Sequence, residues 1–206
     1  IISAVPDGCE NILDVGCGNA WVAGHFCPLG KEVYSLDVAL QNTRRALETH
    51  PYDHHFALVA DVYHLPLKKA QFDCIIAAEI IEHVPDPAAF LGALLEVLKP
   101  GGRLVLTTPH DEKIQYSLCI HCNRPTPMNA HLHSFTGEKL MNLLPQAVRT
   151  GAKALTFGNK ALIKLQTHRL LSRFPYRWWR AADRLANRLV RKPSRILLCV
   201  DKGPDT

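Results

Sequence analysis

The chain is predicted to fold as a three-layer α/β sandwich around a mostly parallel sheet, and three observations carry that prediction. Short apolar runs of strand length alternate with helical stretches through the first half of the chain. The runs suit strands covered on both faces, which is the setting of a parallel sheet. Helices, not tight turns, separate them, as right-handed crossovers between parallel neighbours require. With 206 residues, 47% hydrophobic and 21% charged, the chain can form one domain with one large core.

Taken in order, strands are expected at 12–15, 33–38, 56–60, 74–78 and 104–107, with helices at 21–27, 40–50 and 87–98. The helix at 87–98 has the clearest boundaries. Asp86 stands as its N-cap, Pro87 takes the first helical position, and Ala89, Phe90, Leu94, Val97 and Leu98 form an apolar face. Lys99-Pro100-Gly101-Gly102 then stops it. Beyond Pro109 the alternation breaks. Residues 110–135 form a polar excursion with Cys and His, longer than an ordinary connection and therefore functional or stapled by metal. A helix at 137–144 follows, capped by Thr136, then a strand at 154–157, basic helices at 159–172 and 175–191, and a final strand at 195–201. A helical excursion before a last apolar strand suggests that this strand runs antiparallel to its predecessor. No internal repeat appears, so residues 1–206 read as a single domain with insertions at 110–135 and 159–192.

Seven cysteines, an odd number and mostly isolated in apolar surroundings, suit reduced thiols in a cytoplasmic protein better than a disulfide framework. No apolar run reaches the roughly 20 residues of a bilayer span, and the opening Ile-Ile-Ser-Ala-Val lacks the basic flank of a signal peptide. The net charge of +5 is unevenly placed. Between Arg149 and Arg195 lysines and arginines recur against a single acid, Asp183. In the helix at 175–191, Trp178, Ala182, Leu185 and Leu189 share one seam, which is expected to pack on the sheet beneath a solvated basic face. A cationic helix with tryptophan also suits a peripheral contact between 159–192 and anionic membrane. Nucleic acid ranks behind it, because no RNA-binding module accompanies the charge.

The densest chemical signal is Asp14-Val15-Gly16-Cys17-Gly18-Asn19-Ala20, directly after the first strand. Glycines there let the backbone turn sharply and approach a ligand. The third glycine of a dinucleotide fingerprint is replaced by Trp21, too bulky for the helix–strand contact that fingerprint needs. The Asp14 carboxylate would repel a pyrophosphate but suits a cationic amino group. Asp37 ends the second strand, where a carboxylate can take both hydroxyls of a ribose. Asp61 ends the third and can accept from an adenine amino group, with the Val62 N–H available to a ring nitrogen. Singly each acid is a common turn former. Three in register with a glycine loop point to a nucleoside site.

These segments, with Asp61-Val62-Tyr63-His64-Leu65-Pro66, Phe72-Asp73, Glu79-Ile80-Ile81-Glu82-His83-Val84 and Leu98-Lys99-Pro100-Gly101-Gly102, resemble class I S-adenosylmethionine-dependent methyltransferases. The similarity is greatest to the type 11 group that includes ubiquinone-biosynthesis enzymes. It covers about residues 10 to 109 and, more loosely, 130 to 158. It implies a Rossmann-like, seven-stranded sheet whose last strand is antiparallel. It also implies that Asp14, Gly16 and Gly18 border the methionine part, Asp37 the ribose, Asp61 and Val62 the adenine, and Glu79 again the methionine; Cys17 and Val38 are further candidates for cofactor contact. The stretch 159–192 is not a standard element of the group.

Methyl transfer from a sulfonium is an in-line displacement, so alignment, dehydration and sometimes deprotonation are the enzyme's tasks. Among Glu79, Glu82 and His83, which follow the fourth strand, His83 is the candidate general base, since imidazole titrates near neutral pH. The alternative is that Glu82 and His83 only order the turn into the next helix. Cys119, Cys122, His131 and His133 form a candidate tetrahedral zinc site, with His121 a competitor for the fourth place. A metal-free substrate loop is the competing view. The reading that results is methyl transfer from S-adenosylmethionine to a small-molecule or lipid-linked acceptor. An RNA-modifying enzyme, here without an N-P-P-Y motif, and a non-catalytic cofactor-binding subunit are the other candidates.

Overall fold

A computed structural model describes residues 1–167 and 173–204. Strands β1 (Asn11–Val15), β2 (Glu32–Asp37), β3 (His55–Val59), β4 (Phe72–Ala78), β5 (Leu98–Pro109), β8 (Ala152–Asn159) and β9 (Pro193–Asp201) make one sheet, in the order β3-β2-β1-β4-β5-β9-β8. β9 alone runs against the others, inserted between β5 and β8. The antiparallel last strand is therefore as expected. Helices α1 (Trp21–Phe26), α2 (Leu40–Thr49), α3 (Pro87–Val97), α4 (Gly137–Leu143) and α5 (Gln146–Arg149) connect the strands. The excursion at 110–135 carries a separate two-stranded hairpin, β6 (Tyr116–Leu118) with β7 (Pro125–Pro127), which the sequence did not signal.

The central strands alternate between two cores, as the pleat dictates. Leu13, Ile75 and Leu104 join one core with Phe90 and Leu94 of α3 and Leu140 of α4. Ile12, Cys74, Ile76 and Val105 join the other with Val22 and Ala23 of α1. Burial on both faces explains why the strands read as unbroken apolar runs. The chain leaves β1 toward β2 and β3 but leaves β4 toward β5, so the order reverses between β1 and β4. Side chains at the carboxyl ends of these two strands border a crevice, the place where open parallel sheets bind ligands.

The Asp86 cap is present: its Oδ1 accepts from Ala88 N and Ala89 N, both at 3.0 Å. Helix α3 ends at Val97, one residue early, because Leu98 pairs with Phe72 as the first residue of β5. Helix α6 (Lys160–Lys164) starts where the first basic helix was expected. Residues 168–172 of that expected helix lie outside the described residues. Helix α7 (Tyr176–Leu189) matches the second, but it is turned over. Asp183 is buried, while Trp178, Leu185 and Leu189 of the expected inward seam are exposed. Hydrogen bonds decide this orientation: Gly158 N donates to Asp183 Oδ2, and Asn187 Nδ2 donates to Gly158 O. Among the described residues no helix is long and apolar enough to cross a membrane. Removing the α3 cap, Asp86→Ala, is expected to cost about 1 kcal/mol, read as a lower urea midpoint with an unchanged slope.

Candidate functional site

Above the end of β2 the glycine loop closes on backbone hydrogen bonds. Gly16 N and Cys17 N both donate to Leu36 O, at 2.8 and 3.0 Å. Gly16 has φ +70°, and a Cβ built on it would press on the Ile80 side chain. The left-handed conformation demands glycine there, and the Ile80 side chain would have to give way to any larger residue. Asp37 is buried and ties three segments together. Its Oδ1 accepts from Ala39 N at 2.9 Å, and its Oδ2 accepts from Gly18 N at 3.3 Å and Asn42 Nδ2 at 3.0 Å. Asp61 caps the short turn Val62–His64 through Tyr63 N at 3.0 Å. A cavity of about 290 Å³ opens among these groups, lined by Gly16, Asp37, Val38, Asp61, Val62 and His83 among others.

Not every expected contact lines that cavity. Asp14, Cys17, Gly18 and Glu79 stand outside its wall. Asp14 is buried, and its Oδ2 has no hydrogen-bond partner. Burial, reinforced by the charge of Asp37, pushes its carboxyl up to about 7. Cys17 is buried too, and burial first, then Asp14 and Asp37, pushes its thiol up to about 12. Glu79 sits at the end of β4 with φ +57°, a left-handed conformation that costs a non-glycine residue energy and tends to mark functional sites. It forms an ion pair with Arg195, and its other oxygen is buried without a partner. Arg195 was missed in the sequence. An antiparallel last strand places its first residues, including Arg195, at the edge where β4 and β5 end.

A second group lies beside the cavity. Glu82 is 1% exposed; its Oε2 accepts from Thr108 Oγ1 at 2.9 Å, while Oε1 is buried and unpaired. His83 Nδ1 faces Ala130 O at 3.2 Å, and His131 Nδ1 faces Glu112 Oε2 at 2.5 Å. Both imidazoles are thereby oriented with Nε2 as the remaining ring nitrogen. Glu82, His83 and His131 each offer a ligand atom, all within 4.8 Å of one another. One carboxylate and two imidazoles, one of them steadied by Glu112, match a divalent-cation donor set.

The zinc quartet read from the sequence is not assembled, and that expectation is corrected. Cys119 and Cys122 lie in the turn between β6 and β7, where Asn123 N donates to Cys119 O and Cys119 N to Arg124 O. His131 is directed to Glu112, and His133 Nε2 lies 3.0 Å from Val84 O. The excursion returns to the site at the histidines themselves: Leu132 N and His133 N both donate to Glu82 O. The hairpin holds the thiols in its turn, while the segment that follows brings the imidazoles to Glu82 and Val84. Backbone hydrogen bonds from Cys122 and His121 hold the partly exposed Cys119 thiol below its ordinary range.

A family model described as a methyltransferase domain matches residues 3–147. The ubiquinone biosynthesis O-methyltransferase of Hydrogenovibrio crunogenus is 27% identical over 148 residues, covering 70% of this chain and 55% of that protein. The protein of the same name from a Bradyrhizobium species is 27% identical over 190 residues, covering 87% of this chain and 69% of its own length. The chain thus spans little more than half of the first of these relatives. A crystal structure of an S-adenosylmethionine-dependent methyltransferase from Mesorhizobium loti superposes with a TM-score of 0.65 and 21% identity, covering 98% of this chain and 95% of that one.

Asp14 generates a pH prediction for the ligand-free protein. Its folded pKa lies above the ordinary 3.8, so its contribution to stability is full below that value and is lost as pH rises through about 7. Between those limits the loss approaches about 1.4 kcal/mol per pH unit. Asp14→Asn is expected to flatten this dependence and to be more stable than the parent at pH 8. Urea denaturation from pH 4 to 8 reads it; parallel curves for the two proteins would refute the role of Asp14.

Proposed function

The chain belongs to the methyltransferase-domain family, and on that premise we propose that it transfers the methyl group of S-adenosylmethionine to an oxygen of a small-molecule or lipid-linked acceptor. The observation that carries this reading is the cavity at the β1–β4 reversal, with carboxylates at the ends of β2 and β3 and a glycine turn beside them at the end of β1. The residues fit the nucleoside. Asp37 would hold the ribose hydroxyls, with Val38 beside it. Asp61 and the Val62 N–H would meet the adenine edge. The Asp14 carboxyl lies buried under the loop near the methionine end, where a bound cation would favour its ionised form.

When bound there, the sulfonium supplies an activated methyl group and a neutral leaving thioether. The chain's own tasks are alignment, dehydration and removal of the acceptor proton. His83 lines the cavity and is the base this reading assigns, with Nδ1 directed at Ala130 O and Nε2 left to accept a proton. Arg195 holds Glu79 in its left-handed turn and so shapes the methionine end. The acceptor oxygen is supported only by the names of the relatives, which are O-methyltransferases.

The unpaired Oε1 of Glu82 favours a second reading of the same edge. A divalent cation held by Glu82, His83 and His131 would lower the pKa of an acceptor hydroxyl. His83 would then be a ligand and not the base.

Two measurements separate these readings. Calorimetry is expected to detect S-adenosylmethionine binding, weakened in Asp37→Ala by about 1.5–3 kcal/mol through lost charged hydrogen bonds. Unchanged affinity removes the ribose assignment. Titration of Mn²⁺ into the parent and into Glu82→Gln tests the cation: saturable binding lost in the variant supports a ligand role. Absence of binding to the parent leaves His83 as the base.

A further inference from the structure

Helix α7 displays an arrangement that the chemistry of the crevice does not require. Its polar residues point inward. Asp183 accepts from Gly158 N at 3.1 Å, and Asn187 donates to Gly158 O at 3.3 Å. Asn159 anchors the far end through Val190 O at 2.8 Å. Its large apolar residues point outward: Trp178 is 57% exposed, Leu185 59% and Leu189 76%. At spacings of seven and four these three form one stripe along the helix. Phe174 and Tyr176, just ahead of the helix or at its start, are exposed as well.

The arginines are just as ordered. At 100° per residue, Arg177, Arg180, Arg184 and Arg188 fall along one flank, roughly 115° around from the apolar stripe, and Arg191 follows just past the helix end. Asp183, the helix's one acid, is turned in toward Gly158, so no carboxylate on α7 faces the arginine row. Ile163 and Leu165, at and just after α6, are exposed as well. Water is a poor partner for such a face, because it gains nothing from the stripe and the row repels itself.

We propose that α7 seats this protein on an anionic lipid bilayer, with Trp178, Leu185 and Leu189 at the acyl boundary and the arginine row among the lipid phosphates. A bilayer interface offers an apolar layer and a negative layer side by side, and interfacial helices of this composition lie in its plane. Nucleic acid would engage the arginines and leave the tryptophan–leucine stripe wet. A second copy would bury the stripe but offer the arginine row no acidic partner, since the one acid of α7 is turned inward. Beneath the same helices a cavity of about 150 Å³ is bounded by Phe157, Leu162, Ile163, Trp179 and Arg195, the last of which is the ion-pair partner of Glu79. Docking here would set a short apolar recess between the bilayer and the functional edge.

The test is co-sedimentation of the whole chain with vesicles of phosphatidylcholine alone or of phosphatidylcholine with phosphatidylglycerol. The expected result is binding to the mixed vesicles only, reduced at least tenfold in Trp178→Ser/Leu185→Ser/Leu189→Ser and separately in Arg177→Gln/Arg180→Gln/Arg184→Gln/Arg188→Gln. Binding of S-adenosylmethionine, measured beside it, is expected to be unchanged in both variants, so failure of the docking face and failure of the crevice are distinguishable. Should a variant not fold, the parent still decides, through its preference for anionic vesicles and the loss of that preference at high salt. Equal binding to neutral and anionic vesicles overturns the proposal. So does a shift of single-stranded RNA without vesicle binding, or a dimer that is lost in the apolar variant without vesicle binding.

Discussion

The reversal of strand order between β1 and β4 is the constraint to which the rest of the molecule answers. Two parallel neighbours share hydrogen bonds from Ile12–Cys74 to Val15–Ala77, yet their continuations depart in opposite directions. No helix can cover the gap that this leaves at their carboxyl ends. The glycine turn, the left-handed Glu79 and the Ile80 side chain against Gly16 are the ways in which the backbone negotiates the gap. Asp37 then locks the turn to the entry of α2, through Gly18, Ala39 and Asn42. A ribose bound there would have to share oxygens already in use, so the site is ordered before any ligand arrives.

Most buried carboxylate oxygens without a partner gather at this edge: Asp14 Oδ2, Glu79 Oε1 and Glu82 Oε1. An unsatisfied buried acceptor costs free energy, and a fold has no reason to concentrate the cost in one place unless something compensates it. A cationic ligand on one side and a metal or donor group on the other would each satisfy such atoms. Asp183 Oδ1 is the exception, far along the chain under α7, and there too an open cavity adjoins the group.

The legible parts of the fold were those written in local chemistry. Burial on both faces made each central strand an apolar run, and Asp86 with Pro87 announced the start of α3. Asp37 and Asp61 were legible because strand ends in a parallel sheet converge, so order along the chain translates into proximity. Three features were not legible, each for a physical reason. The thiols and imidazoles at 119–133 have the residue types of a zinc site, but spacing cannot tell whether a hairpin will carry half of them away. Arg195 belongs to the crevice only because β9 is inverted, a long-range fact of topology. The rotation of α7 is set by two polar contacts to Gly158, which outweighed the amphipathic pattern.

The pairing of β8 with β9 carries one more implication. Asn159 and Pro193 are register partners, so the chain leaves the sheet and rejoins it at the same rung. Everything between them is a detour whose two feet touch. Such a detour can be shortened, lengthened or exchanged in evolution without rethreading any other strand. The inserted helices are thus free to drift independently of the sheet and the crevice at its edge, and related chains can keep one body while differing in what that body carries there.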